Sequence, residues 1–139
     1  MTETTIIALL AAGGVLWAVG GSGLKFLRRF LWPVLCAGLL AFSGVSLLTS
    51  LGVCLGLIVV SSAPYGDSTP WPLRIAVFAA LPAPALAINM NAWPWVLACG
   101  LLVSGLAFAT RKWNAVSQKL FEFGAGAIQA GVIVIASLM

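Results

Sequence analysis

The sequence predicts an all-α fold: a polytopic integral membrane bundle of four or five transmembrane helices, one of them re-entrant or broken by proline. Two observations carry this reading. Of 139 residues only seven are Lys or Arg and three Asp or Glu, while 62% are apolar; soluble domains run near ~25% charged and ~45–50% apolar. The charges are also clustered. Uncharged runs of 21 residues separate Glu3 from Lys25, 37 separate Arg29 from Asp67, 36 separate Arg74 from Arg111, and 17 follow Glu122. Each run matches the ~17–25 residues that cross a hydrocarbon core, so residues 1–139 read as a single transmembrane domain.

The first span is expected over about residues 5–21. Met1 to Thr5 carries Glu3 and no base, and no Ala-x-Ala pattern precedes Lys25, so the segment reads as a retained span and not a removable signal. Gly13, Gly14 and Ala18 give it a small-residue surface on which another helix backbone can lie close. Lys25, Arg28 and Arg29 then follow at i, i+3, i+4 spacing, with Phe26, Leu27, Phe30 and Leu31 on the other side. This pattern predicts a basic interfacial helix over 24–32 that anchors to lipid headgroups. Gly20-Gly21-Ser22-Gly23 before it lacks the Gly-Lys-Ser/Thr ending of a phosphate loop and reads as a turn.

Pro33 suits a first helical turn, and no charge or further proline occurs from Val34 to Ala63, so one long helix is expected over 34–61. It contains Gly52-x-x-x-Gly56, a motif of close helix packing. The hydroxyls of Ser43, Thr49 and Ser50 are expected to bond the carbonyl four residues back. Residues 61–72, rich in Ser, Pro and Gly around Asp67, read as an external loop. Two spans, 72–88 and 93–110, come next, separated by Pro82, Pro84 and the stretch Asn89-Met90-Asn91-Ala92-Trp93-Pro94-Trp95. That break is either an interfacial turn between two crossing helices or the tip of a re-entrant hairpin. The last span, 120–139, puts Glu122, Gly126, Gln129 and Ile133 on one helical face.

Charge placement and hydropathy disagree about how the chain crosses. Five crossings put Lys25, Arg28 and Arg29 on one side and Arg74, Arg111, Lys112 and Lys119 on the other, which leaves almost no orienting bias. Four crossings with a re-entrant segment gather six cations against one. A five-span chain inserted in both orientations, as an antiparallel dimer, reconciles the two.

The composition also excludes chemistry. The chain has no histidine, which removes the usual general base, the commonest metal ligand and every Ser-His-Asp or Cys-His arrangement. Cys36, Cys54 and Cys99 are isolated in apolar surroundings and read as packing residues, so neither a metal nor another cofactor is expected. The net charge of +4 is assigned to anionic lipid and not to nucleic acid, with Lys25, Arg28, Arg29, Arg111 and Lys112 at headgroups. Gly52, Gly56 and Gly126 are expected at helix contacts.

What remains is a non-enzymatic membrane protein that oligomerises, as a channel, pore or small-solute carrier, in a bacterial-type cytoplasmic membrane. Asn89, Asn91, Glu122 and Gln129 are the candidate path residues, because polar groups at bilayer depth are costly unless paired or wetted. The alternative is a structural or accessory subunit of a larger membrane complex, with Lys119 and the helix amino terminus merely stabilising Glu122 and with Gln129 bonding across helices. No segment carries a family signature.

Overall fold

A computed structural model describes residues 2–20, 25–62, 70–110 and 115–139, with the side chains at 110 and 115–118 outside that description. Every regular element among the described residues is helical. Helix α1, Glu3–Gly20, occupies the first apolar run as expected. The chain is then helical without interruption from Lys25 to Phe42, opening with a π turn at Leu27–Leu31 and continuing as α2, Trp32–Phe42. In the π turn the Trp32 N–H reaches back five residues to the Leu27 carbonyl, and the wider turn rotates side chains off the usual helical faces. Lys25 and Arg29 face outward, but Arg28 is buried. The described part of the expected basic helix over 24–32, residues 25–32, is therefore not a separate helix with three cations on one face. It is the first part of a longer helix that turns its central arginine inward.

The single helix expected over 34–61 is two helices. α2 stops at Phe42, and α3, Leu47–Ser61, runs back beside it. The reversal is specified locally. Gly44 takes φ +98°, a conformation open to glycine and strained for other residues. Around it the Val45 N–H bonds the Leu40 carbonyl at 3.0 Å and the Gly44 N–H bonds the Ala41 carbonyl at 3.2 Å, the paired closure that ends a helix on a left-handed glycine. Ser46 then caps α3 by accepting the Thr49 N–H at 3.2 Å. The Ser43 hydroxyl does bond the Leu39 carbonyl four residues back, at 2.8 Å. Thr49 pairs with Ser46 instead, and the buried Ser50 hydroxyl has no hydrogen-bond partner among the described residues, unlike the expectation for both.

The break expected near Pro82 and Pro84 is present. α4, Trp71–Ala80, gives way to a 3₁₀ turn at Ala83–Ala87, because the two prolines cannot donate to the ladder. Asn89 is extended at φ −152°, ψ 114°, and its side chain accepts the Asn91 N–H to start a second 3₁₀ turn, Met90–Ala92. α5, Trp93–Thr110, and α6, Ala115–Leu138, complete the chain.

Side-chain contacts give the direction of each run. Trp71 meets Phe108 ring to ring, the Ser104 hydroxyl meets the Ile75 carbonyl, and Gly100 lies against Ala79, so α4 and its 3₁₀ extension are antiparallel to α5. Gly52 lies on Ala87 and Gly56 on Pro84, so α3 runs against that extension. The Lys25–Phe42 helix runs against α1, with Trp32 beside Gly13 and Arg28 beside Gly20. α6 also runs against α1, pairing Lys119 with Ala18, Gly126 with Gly13 and Gly131 with Leu10. The described residues thus form six helical runs of alternating direction. One end of the bundle holds the close of α1, the start of the Lys25–Phe42 helix, the close of α3, the start of α4, the close of α5 and the start of α6. The opposite end holds Glu3, the Ser43–Ser46 reversal, the Asn89–Ala92 turn and the carboxyl terminus.

α1 and α6 form the closest pair. A Cβ on Gly126 would fall on the Gly13 carbonyl, and one on Gly13 would come within 2.7 Å of the Gly126 carbonyl, so the glycines at this crossing allow backbone to touch backbone. The three glycines expected at contacts differ in tightness: Gly126 is sterically required, a Cβ on Gly56 would lie 3.2 Å from Pro84, and one on Gly52 would make only ordinary contact with Ala87 at 3.8 Å. Gly100 was not singled out from the sequence, yet its Cβ would lie 2.5 Å from the Ala79 carbonyl. The core comprises Leu9, Trp17, Trp32, Cys36, Leu40, Val53, Leu57, Leu81 and Ile133 among others. Cys36 is buried there and the three cysteines are free, consistent with packing roles. Among the described residues three helical stretches are long and apolar enough to cross a membrane alone: Glu3–Gly20, Met90–Ala109 and Lys119–Leu138.

Candidate functional site

The interior of this apolar bundle contains a connected group of polar side chains. It begins at the end where α1 closes. The last carbonyls of a helix lack intrahelical donors and carry the negative end of its dipole. Here the Arg28 guanidinium donates to the Trp17 carbonyl at 2.6 Å and the Lys119 ammonium to the Ala18 carbonyl at 3.0 Å. Both cations also face Glu122, at 3.4 Å from Arg28 and 3.6 Å from Lys119. Arg28 stacks on the Trp17 ring, its central carbon 4.3 Å from the ring centroid, so one face of the guanidinium meets the π cloud. Arg28 is 6% exposed and Glu122 2% exposed, whereas the Lys119 side chain keeps 41% of its surface. The inner pair is thus shielded from solvent and the outer lysine is not.

Deeper along α6, two turns beyond Glu122, lies Gln129, 1% exposed. Its Oε1 accepts the indole N–H of Trp17 at 3.0 Å and that of Trp32 at 2.9 Å. Its Nε2 donates to the Leu81 carbonyl at 2.8 Å. That carbonyl needs a donor because Pro84 has no N–H and Ala85 gives its own to Pro82. One amide therefore satisfies two buried indoles and the backbone gap left by a proline, joining α1, α2 and α6 to the turn that follows α4. Buried tryptophan N–H groups require such partners.

The expected site residues fall into separate groups. Glu122 and Gln129 are both buried and are linked through Arg28, which pairs with Glu122, and Trp17, which touches Arg28 with its ring and Gln129 with its N–H. Asn89 and Asn91 are not part of that group. They form the turn at the opposite end, where Asn89 caps a 3₁₀ turn and Asn91 is exposed. Arg28 is withdrawn from the lipid-headgroup role expected for it, since its charge is buried against Glu122. Lys25 and Arg29 are exposed and free to take that role. Arg111 and Lys112, also expected at headgroups, lie outside the described residues, as do Asp67 and most of the expected loop over 61–72.

Three participants were not read from the sequence as site residues: Trp17, Trp32 and the Leu81 carbonyl. The prolines carry the one available signal, because a proline inside an apolar run leaves a carbonyl unsatisfied and an intramembrane Gln is a natural donor to it. Comparison with protein-family models, with curated proteins and with solved structures finds no match to this chain.

Proposed function

We propose that the chain is a small, non-enzymatic integral membrane protein of the channel, pore or carrier class. The inversion of polarity supports the membrane part of this reading. Large apolar side chains are exposed on the outward faces of every helix, including Ile7, Val34, Leu48, Leu55, Leu73, Leu101 and Phe123, while Arg28, Glu122 and Gln129 are buried. Water penalises that arrangement and lipid rewards it. We place the protein in a bacterial-type cytoplasmic membrane with anionic lipid around its cations.

The observation that supports transport is the Arg28–Glu122 pair. In a chain with three carboxylates, one is buried beside a guanidinium and half-exposed Lys119 lies next to both. Intramembrane ionisable groups of this kind mark ion and solute routes. The route starts at Lys119, passes Glu122 and Arg28, and reaches Gln129. Six short helical runs give one copy little room to enclose a path, so we assign the complete path to a homo-oligomer.

The test is reconstitution into liposomes, reading proton, K⁺ and Cl⁻ flux with pH-sensitive and potential-sensitive dyes. Flux from the native chain and its loss in Glu122→Gln, with insertion unchanged, is the expected result. Silence for all three ions from correctly inserted protein rejects an ion path. A second reading, a structural or accessory subunit, is favoured by Gln129, whose amide is bonded at both ends like a clamp. Purification in mild detergent separates the two: a homo-oligomer accords with the first, and co-purification with larger partners accords with the second.

A further inference from the structure

The antiparallel register brings the basic residues to one end of the bundle. Lys25 and Arg29 start the second run, Arg74 lies in the first turn of α4 stacked 4.9 Å over Trp71, and Lys119 lies near the start of α6 beside the last turn of α1. In the sequence Arg111 and Lys112 fall between Thr110, which closes α5, and Ala115, which starts α6. With Arg28 just inside, all five Lys and Arg among the described residues lie at one end. The opposite end has Glu3, the uncharged reversal Ser43-Gly44-Val45-Ser46, the uncharged turn Asn89-Met90-Asn91-Ala92 and an uncharged carboxyl-terminal segment.

Resting on the membrane reading above, we infer that the chain crosses six times, with both termini outside and its basic end docked on the anionic headgroups of the cytoplasmic leaflet. The three helices of spanning length supply half of the crossings. The Lys25–Phe42 helix, at 18 residues, is as long as α1, which corresponds to ~27 Å at 1.5 Å per residue. α3 and the α4–Ala87 run are shorter. Each nevertheless lies alongside a neighbour in antiparallel register, with their starts and ends at the bundle's two ends. Cytoplasmic connections are enriched in Lys and Arg, and the negative potential of that leaflet attracts clustered cations. Five against none among the described residues leaves no conflict between charge and hydropathy. The conflict in the sequence came from counting 34–61 as one crossing: the extra reversal at Gly44 changes the parity of every later segment. Exposed Trp93 and Trp95 near the opposite end and Trp71 at the basic end stand where aromatic belts meet the two membrane surfaces.

The experiment combines carbonate extraction, terminal reporters and cysteine labelling in a bacterial host. A carboxyl-terminal alkaline phosphatase fusion is expected to be active and the matching fluorescent-protein fusion dark. Intact cells are then treated with a membrane-impermeant maleimide. Ser46→Cys and Asn91→Cys are expected to label, whereas Ser22→Cys, Ser68→Cys and Asn114→Cys label only after lysis. Labelling of Ser46→Cys and Ser68→Cys from the same side, or of every site from both sides, overturns the six-crossing orientation. Release of the chain by alkaline carbonate would instead overturn the membrane reading itself. For the leaflet partner, protein extracted in native nanodiscs is expected to retain phosphatidylglycerol at several times its bulk share, and Lys25→Gln/Arg29→Gln to lower that enrichment at least twofold. Lipid of bulk composition around the native chain would refute the docking.

Discussion

Arg28 and Glu122 show how a single side chain changes meaning with one turn of backbone. In a regular helix Lys25, Arg28 and Arg29 share a face, and the sequence reads as a basic patch. The π turn at Leu27–Leu31 separates them, so Arg28 meets Glu122 across a gap of 94 positions in the chain. Neither the π turn nor that distant partner has a local signature in the residue pattern. Glu122 and Gln129 were legible as notable, because polar groups are so scarce, but their partners were not. Burial decides how much each cation contributes. Removing one member of a buried pair leaves the other charge uncompensated in a low-dielectric interior, which costs about 3–5 kcal/mol, while an exposed ion pair contributes about 1 kcal/mol or less. In double-mutant cycles read by unfolding in mixed micelles, Arg28→Gln with Glu122→Gln should couple by about 2 kcal/mol. Lys119→Gln with Glu122→Gln should couple by less than about 1 kcal/mol, since Lys119 keeps 41% of its side-chain surface. Equal coupling for the two pairs would mean that the inner pair is wet.

At the scale of elements, prolines were legible and the glycine reversal was not, although both break helices. Pro82 and Pro84 announce themselves, because a missing N–H interrupts any helix ladder, and the structure stops α4 at Ala80. Ser43-Gly44-Val45-Ser46 is equally informative: a glycine closes one helix and a serine two residues later caps the next. Hydropathy hides it, because a run of 37 uncharged residues reads the same whether it is one tilted helix or two antiparallel ones. Glycine is also common inside membrane helices, which weakens it as a stop signal. The structure makes the distinction testable. Nothing lies within 4 Å of a Cβ built on Gly44, so the cost of substitution there is conformational and not steric. Gly44→Ala and Gly44→Val should lower stability by about 1–2 kcal/mol, and Gly44→Asn by less, because asparagine tolerates left-handed backbone. The order Gly, then Asn, then Ala and Val in thermal unfolding in detergent is the expected outcome. Indifference to all three would place the reversal elsewhere.

For the whole molecule, orientation depends on parity, and parity depends on one local turn. A five-span chain with three cations against four has almost no bias, and small charge changes would swing its topology. The six-run register predicts the reverse, a strongly biased chain that resists such changes. Consider the quadruple variant Lys25→Gln/Arg29→Gln/Ser46→Lys/Asn91→Lys, which removes two exposed cations from the basic end and adds two to the opposite one. Arg28 is paired with buried Glu122 and so contributes little to the bias. Even with Arg28 discounted, Arg74, Arg111, Lys112 and Lys119 still outnumber the two added lysines. The carboxyl terminus of this variant should therefore remain on the same side as in the native chain, read by paired phosphatase and fluorescent-protein fusions. Adding Arg111→Gln and Lys112→Gln leaves two cations against two, and only then should the population divide between orientations. A five-span chain, with three cations against four, would already divide without any substitution. The step at which mixed insertion begins thus distinguishes an orientation imposed by cations gathered at one end from one balanced between two equal faces.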